Sequence, residues 1–434
     1  MYDPTKPEAP PPLSPFVRWL VAMRKRGYLG LMGLAALVLL LIGLYWYTTS
    51  RAPSSGQGSS PTPRPSATVQ ASSPSTTPAA YAMSVGPAPS VGLKVPAGYA
   101  VHVFASGAGT ARDLQFSPGG TLLVSNPATG NVTALPDANR DGVADSAKTV
   151  LHDSAPNVHG LAFYGGKLFV AEESRVVRYN WSEATLTATQ DKVLFSLPTP
   201  NADHNKRTIV FDAAGHMFVS VGSTCNVCIE SDPRSATIME SDADGANPHV
   251  FATGLRNAPF IAINPSSNEL WSTEMGRDYL GDNTPPDEIN IIQAGQNYGW
   301  PICYGAKIHD TNFDHKTYIA DPCVTTIAPI FGVPAHNAPL GLAFIKSAQF
   351  PLPSQGDLIV AYHGSWNRSV PDGYKLVHLT VRGNTIAASE DFMTGFINGS
   401  TAAARPVDVT FDTYGNLFVS DDKSGSIYIV QKQL

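Results

Sequence analysis

Side chains able to do chemistry gather at four places in this sequence. Asp203-His204 precedes one apolar stretch and Arg256-Asn257 precedes another. His363, Trp366, Asn367 and Arg368 follow a third, and Arg405 and Asp408 stand at a fourth. Histidine is the side chain whose ordinary pKa lets it take up or release a proton near neutrality. Guanidinium groups grip carboxylates and phosphates through paired hydrogen bonds. One histidine base among several arginines is therefore equipment for holding a polyanion and removing a proton beside it. The strings of common hydrolases and nucleotide enzymes are missing: there is no G-x-S-x-G, no H-E-x-x-H and no P-loop.

These residues flank a phrase that recurs along the chain, a short turn followed by an apolar strand. It reads FSPGGTLLVS (116–125), FYGGKLFVAE (163–172), FDAAGHMFVS (211–220), INPSSNELWS (263–272), QGDLIVAY (355–362) and FDTYGNLFVS (411–420). A second strand follows most copies: NVTAL (131–135), SRVVRY (174–179), DEINII (287–292), YKLVHL (374–379) and GSIYIV (425–430), with ATIMES (236–241) the weakest. Strand, turn and strand repeated at this spacing is how a β-propeller reads, and six copies predict an all-β, six-bladed propeller. Composition agrees: 37 Gly and 36 Pro in 434 residues are too many for a helical bundle, and 43% hydrophobic residues are too many for a disordered chain. In a propeller the loops of every blade converge on one mouth, so a site there is assembled from residues far apart in sequence.

The first 92 residues are different material. Residues 1–26 read as a cytoplasmic tail. Residues 27–50 are 24 uncharged residues between Arg26 and Arg51, ending in Tyr45, Trp46 and Tyr47. As a helix they would cover about 36 Å, enough to cross a membrane once. Arg18, Arg24, Lys25 and Arg26 precede them against Arg51 alone after them, so the positive-inside rule places the N-terminus in the cytoplasm. Residues 51–92 read as a tether, with 18 Pro, Ser or Thr among residues 52–80. Residues 93–434 are the working domain, expected outside the cytoplasm. That domain has 22 Lys/Arg against 33 Asp/Glu, which argues against nucleic acid as a partner. Export makes disulfides the default for the four cysteines, with Cys303 and Cys323 expected to staple a long loop. Cys225 and Cys228 could pair with each other or cross-pair, and a four-cysteine zinc site is the less favoured alternative.

The motifs DHNKRTIVFDAAGHMFVSVGS (203–223), GLRNAPF (254–260), ELWSTEMGRD (269–278), PPDEINIIQAGQNYGWP (285–301), HNAPLGLAF (336–344), AYHGSWNRSVPDGYK (361–375) and RPVDVTFDTYGNLFVSDD (405–422) occur in this order. Together they resemble the pyrroloquinoline-quinone (PQQ) sugar dehydrogenases, soluble glucose dehydrogenase and especially the L-sorbosone dehydrogenase-like branch. The resemblance implies a quinoprotein that oxidises a sugar, polyol or aldose or aldehyde hydrate and passes the electrons on to a separate, unknown acceptor. By the same resemblance His204 is the base, with Asp203 beside it, and Arg256 is the arginine near the reactive quinone oxygen. Asn257, Arg405 and His336 are then expected at the cofactor. Gly276 and Arg277 match the carbonyls that hold the PQQ-bridging Ca²⁺, and Glu288 and Tyr298 match a second, structural Ca²⁺ site.

Some positions depart from that family. Arg277 replaces a proline and Val407 replaces a second arginine. A glutamine-bearing loop reads SAPNVHGLAF (154–163), where His159 or Asn157 is the expected replacement. The family's loop lysine has Arg368 as its best counterpart and Lys375 as the second. A non-catalytic propeller binding carbohydrate or protein at the same mouth is the alternative reading. DANRDGVAD (137–145) opens like a calcium loop but has Lys148 at the twelfth position, and reads as a polar turn.

Overall fold

A computed structural model describes residues 83–152, 157–199 and 204–433. The expected tail and membrane segment, and most of the tether, lie outside those residues, as does Asp203. Among the described residues no helix is long and apolar enough to cross a membrane.

The described chain forms six four-stranded antiparallel sheets and two short two-stranded ribbons, the arrangement of a six-bladed propeller. The first blade runs Leu114–Phe116, Leu122–Asn126, Asn131–Leu135 and Lys148–His152, from innermost strand to outermost. The innermost strands of the next five blades are Gly160–Tyr164, Ile209–Phe211, Ile261–Ile263, Pro339–Phe344 and Pro406–Phe411. Each recurring phrase is the hairpin from an innermost strand to the second strand of its blade. The turn needs a left-handed residue, and Gly120, Gly215 and Gly415 supply it with φ of 92, 90 and 86°. The fourth phrase lacks glycine there, and Asn268 takes the turn at φ 60°, which asparagine tolerates better than other side chains.

The ring is closed by a strand absent from the sequence reading. Tyr99–Ala105 pairs antiparallel with Ser426–Lys432 and becomes the outermost strand of the sixth blade. Packing follows the closure: Phe104, Leu114, Leu122, Phe418, Ile427 and Ile429 form one buried cluster across the first and last blades. Each such side chain taken from water contributes about 1.5–3 kcal/mol.

Polar latches join neighbouring inner strands. The Asp408 carboxylate accepts from the Leu114 amide at 2.7 Å, and Asp113 accepts from the Leu161 amide at 2.8 Å. The Thr273 hydroxyl donates to the Leu340 carbonyl at 2.9 Å. Asp408 thus belongs to the buried frame and not to the mouth. Lys375 opens the third strand of the fifth blade and pairs with Asp391 on the outer strand at 2.7 Å, directed away from the mouth. Cys303 is bonded to Cys323 and Cys225 to Cys228, which excludes both cross-pairing and a four-cysteine zinc site. The 137–145 loop is a turn whose Asp137, Asp141 and Asp145 carboxylates accept from its own backbone amides.

Candidate active site at the propeller mouth

In each blade the end opposite the glycine turns is formed by the segment before the innermost strand and the segment after the second strand. His204, Arg256, Asn257 and His336 stand in the first kind of segment; Ser223, Asp278, Asn367 and Asp422 stand in the second. They surround a hollow with two lobes, of about 440 and 450 Å³, which share His204, Asn257 and Met275.

His204 is mostly buried, and its Nδ1 lies 2.8 Å from the Ser223 hydroxyl. That hydroxyl donates its own proton to the Cys225 carbonyl at 2.7 Å. Having given its only hydrogen away, Ser223 must accept from Nδ1–H, which leaves the lone pair of the imidazole on Nε2. Burial and the Arg256 charge pull the His204 pKa down to about 3, so the ring is neutral at ordinary pH.

Arg256 is buried, and its guanidinium is held from three sides. Nε donates to the Asn226 carbonyl at 2.9 Å and Nη2 to the Asn226 side-chain oxygen at 2.9 Å. Nη2 also pairs with Asp278 at 3.0 Å, while Nη1 donates to the Gly276 carbonyl at 2.9 Å. Asn226 lies inside the loop closed by the Cys225–Cys228 disulfide, and its side-chain oxygen also accepts from the Asp278 amide at 2.8 Å. One short disulfide loop therefore supports both the histidine, through Ser223 and Cys225, and the arginine, through Asn226.

The first lobe has a cationic wall. Arg112 pairs with Asp422 at 2.7 Å, and its Nε is buried without a hydrogen-bond partner. Lys206 Nζ donates to Asn157 at 2.8 Å and to Asn205 at 2.7 Å, and burial with the Arg112 charge lowers its pKa to about 8. Burial pushes Asp422 up, but its bonds to His363 and Arg112 outweigh that and hold it far below the usual carboxylate range. Neither Arg112 nor Lys206 stood out in the sequence. Their signal was positional: both fall in the short segment before an innermost strand, as Arg256 and Asn257 do.

Behind Arg256 is an enclosed space of about 20 Å³, enough for one water or one ion. Glu274, Glu288 and Asp310 line it, together with Arg277 and Tyr298. Burial and the neighbouring Glu288 hold the Glu274 carboxyl well above its usual range, and burial raises Glu288 as well. Two such carboxylates sharing a proton offer hard oxygen ligands to a divalent cation. The Tyr298 hydroxyl is turned elsewhere, donating to the Ile291 carbonyl at 2.6 Å. Arg277 pairs with Asp310 at 3.2 Å.

The structure brings His204, Arg256, Asn257, Gly276 and His336 to the hollow and sets Glu288, Arg277 and Tyr298 around the small space. Besides Lys375, three more expected cofactor residues stand outside the walls. His159 is fully buried, bonded to the Arg207 carbonyl at 2.8 Å and edge-on to Phe260, while Asn157 reaches the hollow instead. Arg368 is tied to the Asp282 and Ala335 carbonyls. Arg405 donates to the His363 and Gly364 carbonyls, with its guanidinium 5.4 Å from the Tyr374 ring centre. Val407 is core, fully buried among residues such as Phe260 and Leu340.

The sequence profile of the TrAA12-like family matches residues 93–433. An uncharacterized protein of Borreliella burgdorferi is 30% identical over 355 residues, 78% of this chain and 90% of that protein. A pyrroloquinoline quinone-dependent sugar dehydrogenase of Hypocrea jecorina is 26% identical over 396 residues, covering 77% and 88%. The holo PQQ domain of pyranose dehydrogenase from Coprinopsis cinerea superposes with a TM-score of 0.69 at 22% identity, covering 81% of this chain and 99% of that domain.

Proposed function

Because this chain belongs to the TrAA12-like family of PQQ-dependent sugar dehydrogenases, we propose that it oxidises a sugar, polyol or aldose or aldehyde hydrate at the propeller mouth, with His204 as the base. The observation that carries this reading is the His204–Ser223–Cys225 chain of hydrogen bonds, which presents a neutral imidazole with a free Nε2. A substrate hydroxyl against Nε2 gives up its proton there as its carbon is oxidised. Ser223 keeps Nδ1 protonated throughout, so the ring cannot change tautomer. Arg256, fixed by Asn226 and Asp278, holds a positive charge beside the base and favours negative charge developing on an oxygen close to it.

The residues present fit PQQ, a flat quinone with three carboxylates. The domain as a whole is acidic, yet its mouth carries Arg112, Lys206 and Arg256, and the unpaired Arg112 Nε is a donor suited to a carboxylate. When bound, PQQ supplies the acceptor for the hydride of the substrate carbon. Ca²⁺ belongs to the same proposal. Glu274 and Glu288 would hold one ion in the enclosed space. An ion on the Gly276 and Arg277 carbonyls would share the Gly276 oxygen with the Arg256 guanidinium, which already donates to it.

Purified protein incubated with PQQ and Ca²⁺ is expected to gain quinone absorbance and to reduce a redox dye when sugars are added. His204→Ala should keep the absorbance and lose the dye reduction. No uptake of PQQ at micromolar concentration would sink the reading.

The setting is proposed from sequence: residues 27–50 anchor the chain once in a membrane, with the N-terminus cytoplasmic and the propeller outside. The uncharged run and its basic N-terminal flank support this. Full-length protein should stay in the membrane pellet after alkaline carbonate extraction; release into the supernatant would refute anchoring.

A further inference from the structure

The second lobe of the mouth ends in two aromatic rings that the mechanism does not use. Tyr279 is 74% exposed and Trp366 is 65% exposed, and both line the lobe that contains His204 and Arg256. Their ring centres are 6.0 Å apart with planes at 86°, so one ring presents its edge to the other. Each keeps apolar surface open to solvent, and the pair makes a right-angled corner at the edge of the hollow.

Two features show that the corner is built. Tyr279 has φ 70°, a left-handed conformation unfavourable to a bulky side chain and typical of residues held for function. The residues next to the two rings are also tied together: the Asn367 side-chain amide donates to Asp278 at 2.7 Å, joining loops of the fourth and fifth blades. Asp278 in turn is fixed by Arg256 and by Asn226. The rings are therefore displayed from the same network that positions the catalytic arginine.

We propose that Tyr279 and Trp366 form a platform that stacks a saccharide unit at the rim of the mouth, outside the unit being oxidised. The inference rests on the reading of this mouth as a sugar site, and it extends the substrate class from single sugars to oligosaccharides. A pyranose with equatorial hydroxyls presents C–H groups on its ring faces. Those faces suit the electron-rich face of an indole or phenol, while the hydroxyls at the ring edge remain in water. An edge-to-face pair offers such a ring one wall beneath it and one beside it. The exposure of both aromatics places the contact at the entrance, where it meets whatever part of a substrate projects from the hollow.

Calorimetric titration of the full chain with glucose, cellotriose, maltotriose and xylotriose tests this before any cofactor is added. At least one trisaccharide should bind more tightly than glucose. Trp366→Ala and Tyr279→Ala should each weaken that trisaccharide by about two- to tenfold, Trp366→Phe should keep most of the affinity, and glucose should respond little. No trisaccharide binding, or equal affinity in wild type and Trp366→Ala, overturns the platform. A Trp366→Ala protein with unchanged trisaccharide affinity but slower reoxidation by a cytochrome assigns the rings to a protein electron acceptor, and that also overturns it. PQQ uptake and glucose oxidation are followed separately. Normal uptake and turnover with no platform effect refute the platform alone; a platform effect without PQQ uptake refutes the dehydrogenase reading alone.

Discussion

The Nδ1 atom of His204 lies 2.8 Å from the hydroxyl of Ser223, and the direction of that hydrogen bond is decided by a third atom, the Cys225 carbonyl. A hydroxyl has one proton. Because Ser223 donates it to Cys225, the histidine must be the donor to Ser223 and must hold its lone pair on Nε2. Ser223→Ala removes the acceptor and lets the ring change tautomer or turn. The expected result is a fall of about 10- to 100-fold in kcat/KM, the range for losing the outer hydrogen-bond partner of a metal-bound histidine, taken as the scale for this one. PQQ absorbance should be unchanged. A variant as active as wild type would show that the serine does not hold the base.

The lowered pKa of His204 makes a prediction about pH. Burial is the largest cause and Arg256 adds to it, so the folded-state value is about 3 against an ordinary value of 6.5. The base is active when neutral, which is the state above its folded pKa. The kcat/KM profile should therefore lack an acid limb from this group between pH 5 and 8. A limb centred near 6.5 in wild type and absent from a Ser223→Ala profile would contradict the buried, neutral base.

Asn226 is the shared support of Arg256 and Asp278, through its carbonyl and its side-chain oxygen. Asn226→Ala keeps the backbone carbonyl but removes the side-chain oxygen, leaving a buried guanidinium short of one acceptor, a loss on the order of 1–3 kcal/mol. PQQ affinity, read by fluorescence quenching, should weaken by about tenfold. Cleavage of the Cys225–Cys228 bond by a mild reductant should move affinity in the same direction, since that bond closes the loop carrying Asn226. Unchanged PQQ binding in both cases would reduce Asn226 to a loop residue.

Much of the frame was legible because the hairpin between the first two strands of each blade repeats with a recognisable turn. Even the fourth copy, with Asn268 in place of glycine, kept the pattern. The innermost strands were not legible in themselves: Leu114–Phe116, Ile209–Phe211 and Ile261–Ile263 are three residues long, too short for an alternating pattern to stand out. The closing strand Tyr99–Ala105 was missed because its partner, Ser426–Lys432, is at the other end of the domain. At the site, His204, Arg256 and Asn257 were found through motifs. Ser223, Asn226, Arg112 and Lys206 were not, since serine, asparagine, arginine and lysine are ordinary surface residues until the fold gives them a position. Arg405 and Arg368 were expected at the cofactor from the family pattern, but both give their guanidinium hydrogens to backbone carbonyls of neighbouring loops.

The latch between Asp408 and the Leu114 amide predicts how stability depends on pH. Burial raises the Asp408 pKa to about 7, and Asp113, also buried, is raised in the same direction. In the unfolded chain an aspartate titrates near 4. Between about pH 4 and 7 the folded state therefore holds a proton that the unfolded state has released, and stability falls as pH rises through this window, by at most about 1.4 kcal/mol per pH unit for one group. His204 acts in the opposite sense, because its folded pKa is lowered: below pH 6.5 the unfolded chain binds the extra proton, so this group lowers stability as the pH falls. A comparison of wild type with Asp408→Asn isolates the carboxylate from the histidine. The amide cannot ionise, so the difference in Tm should shift in favour of the variant as the pH is raised from 5 to 8. A difference that stays constant over that range would mean that Asp408 is charged, or neutral, at every pH tested and that the latch does not titrate.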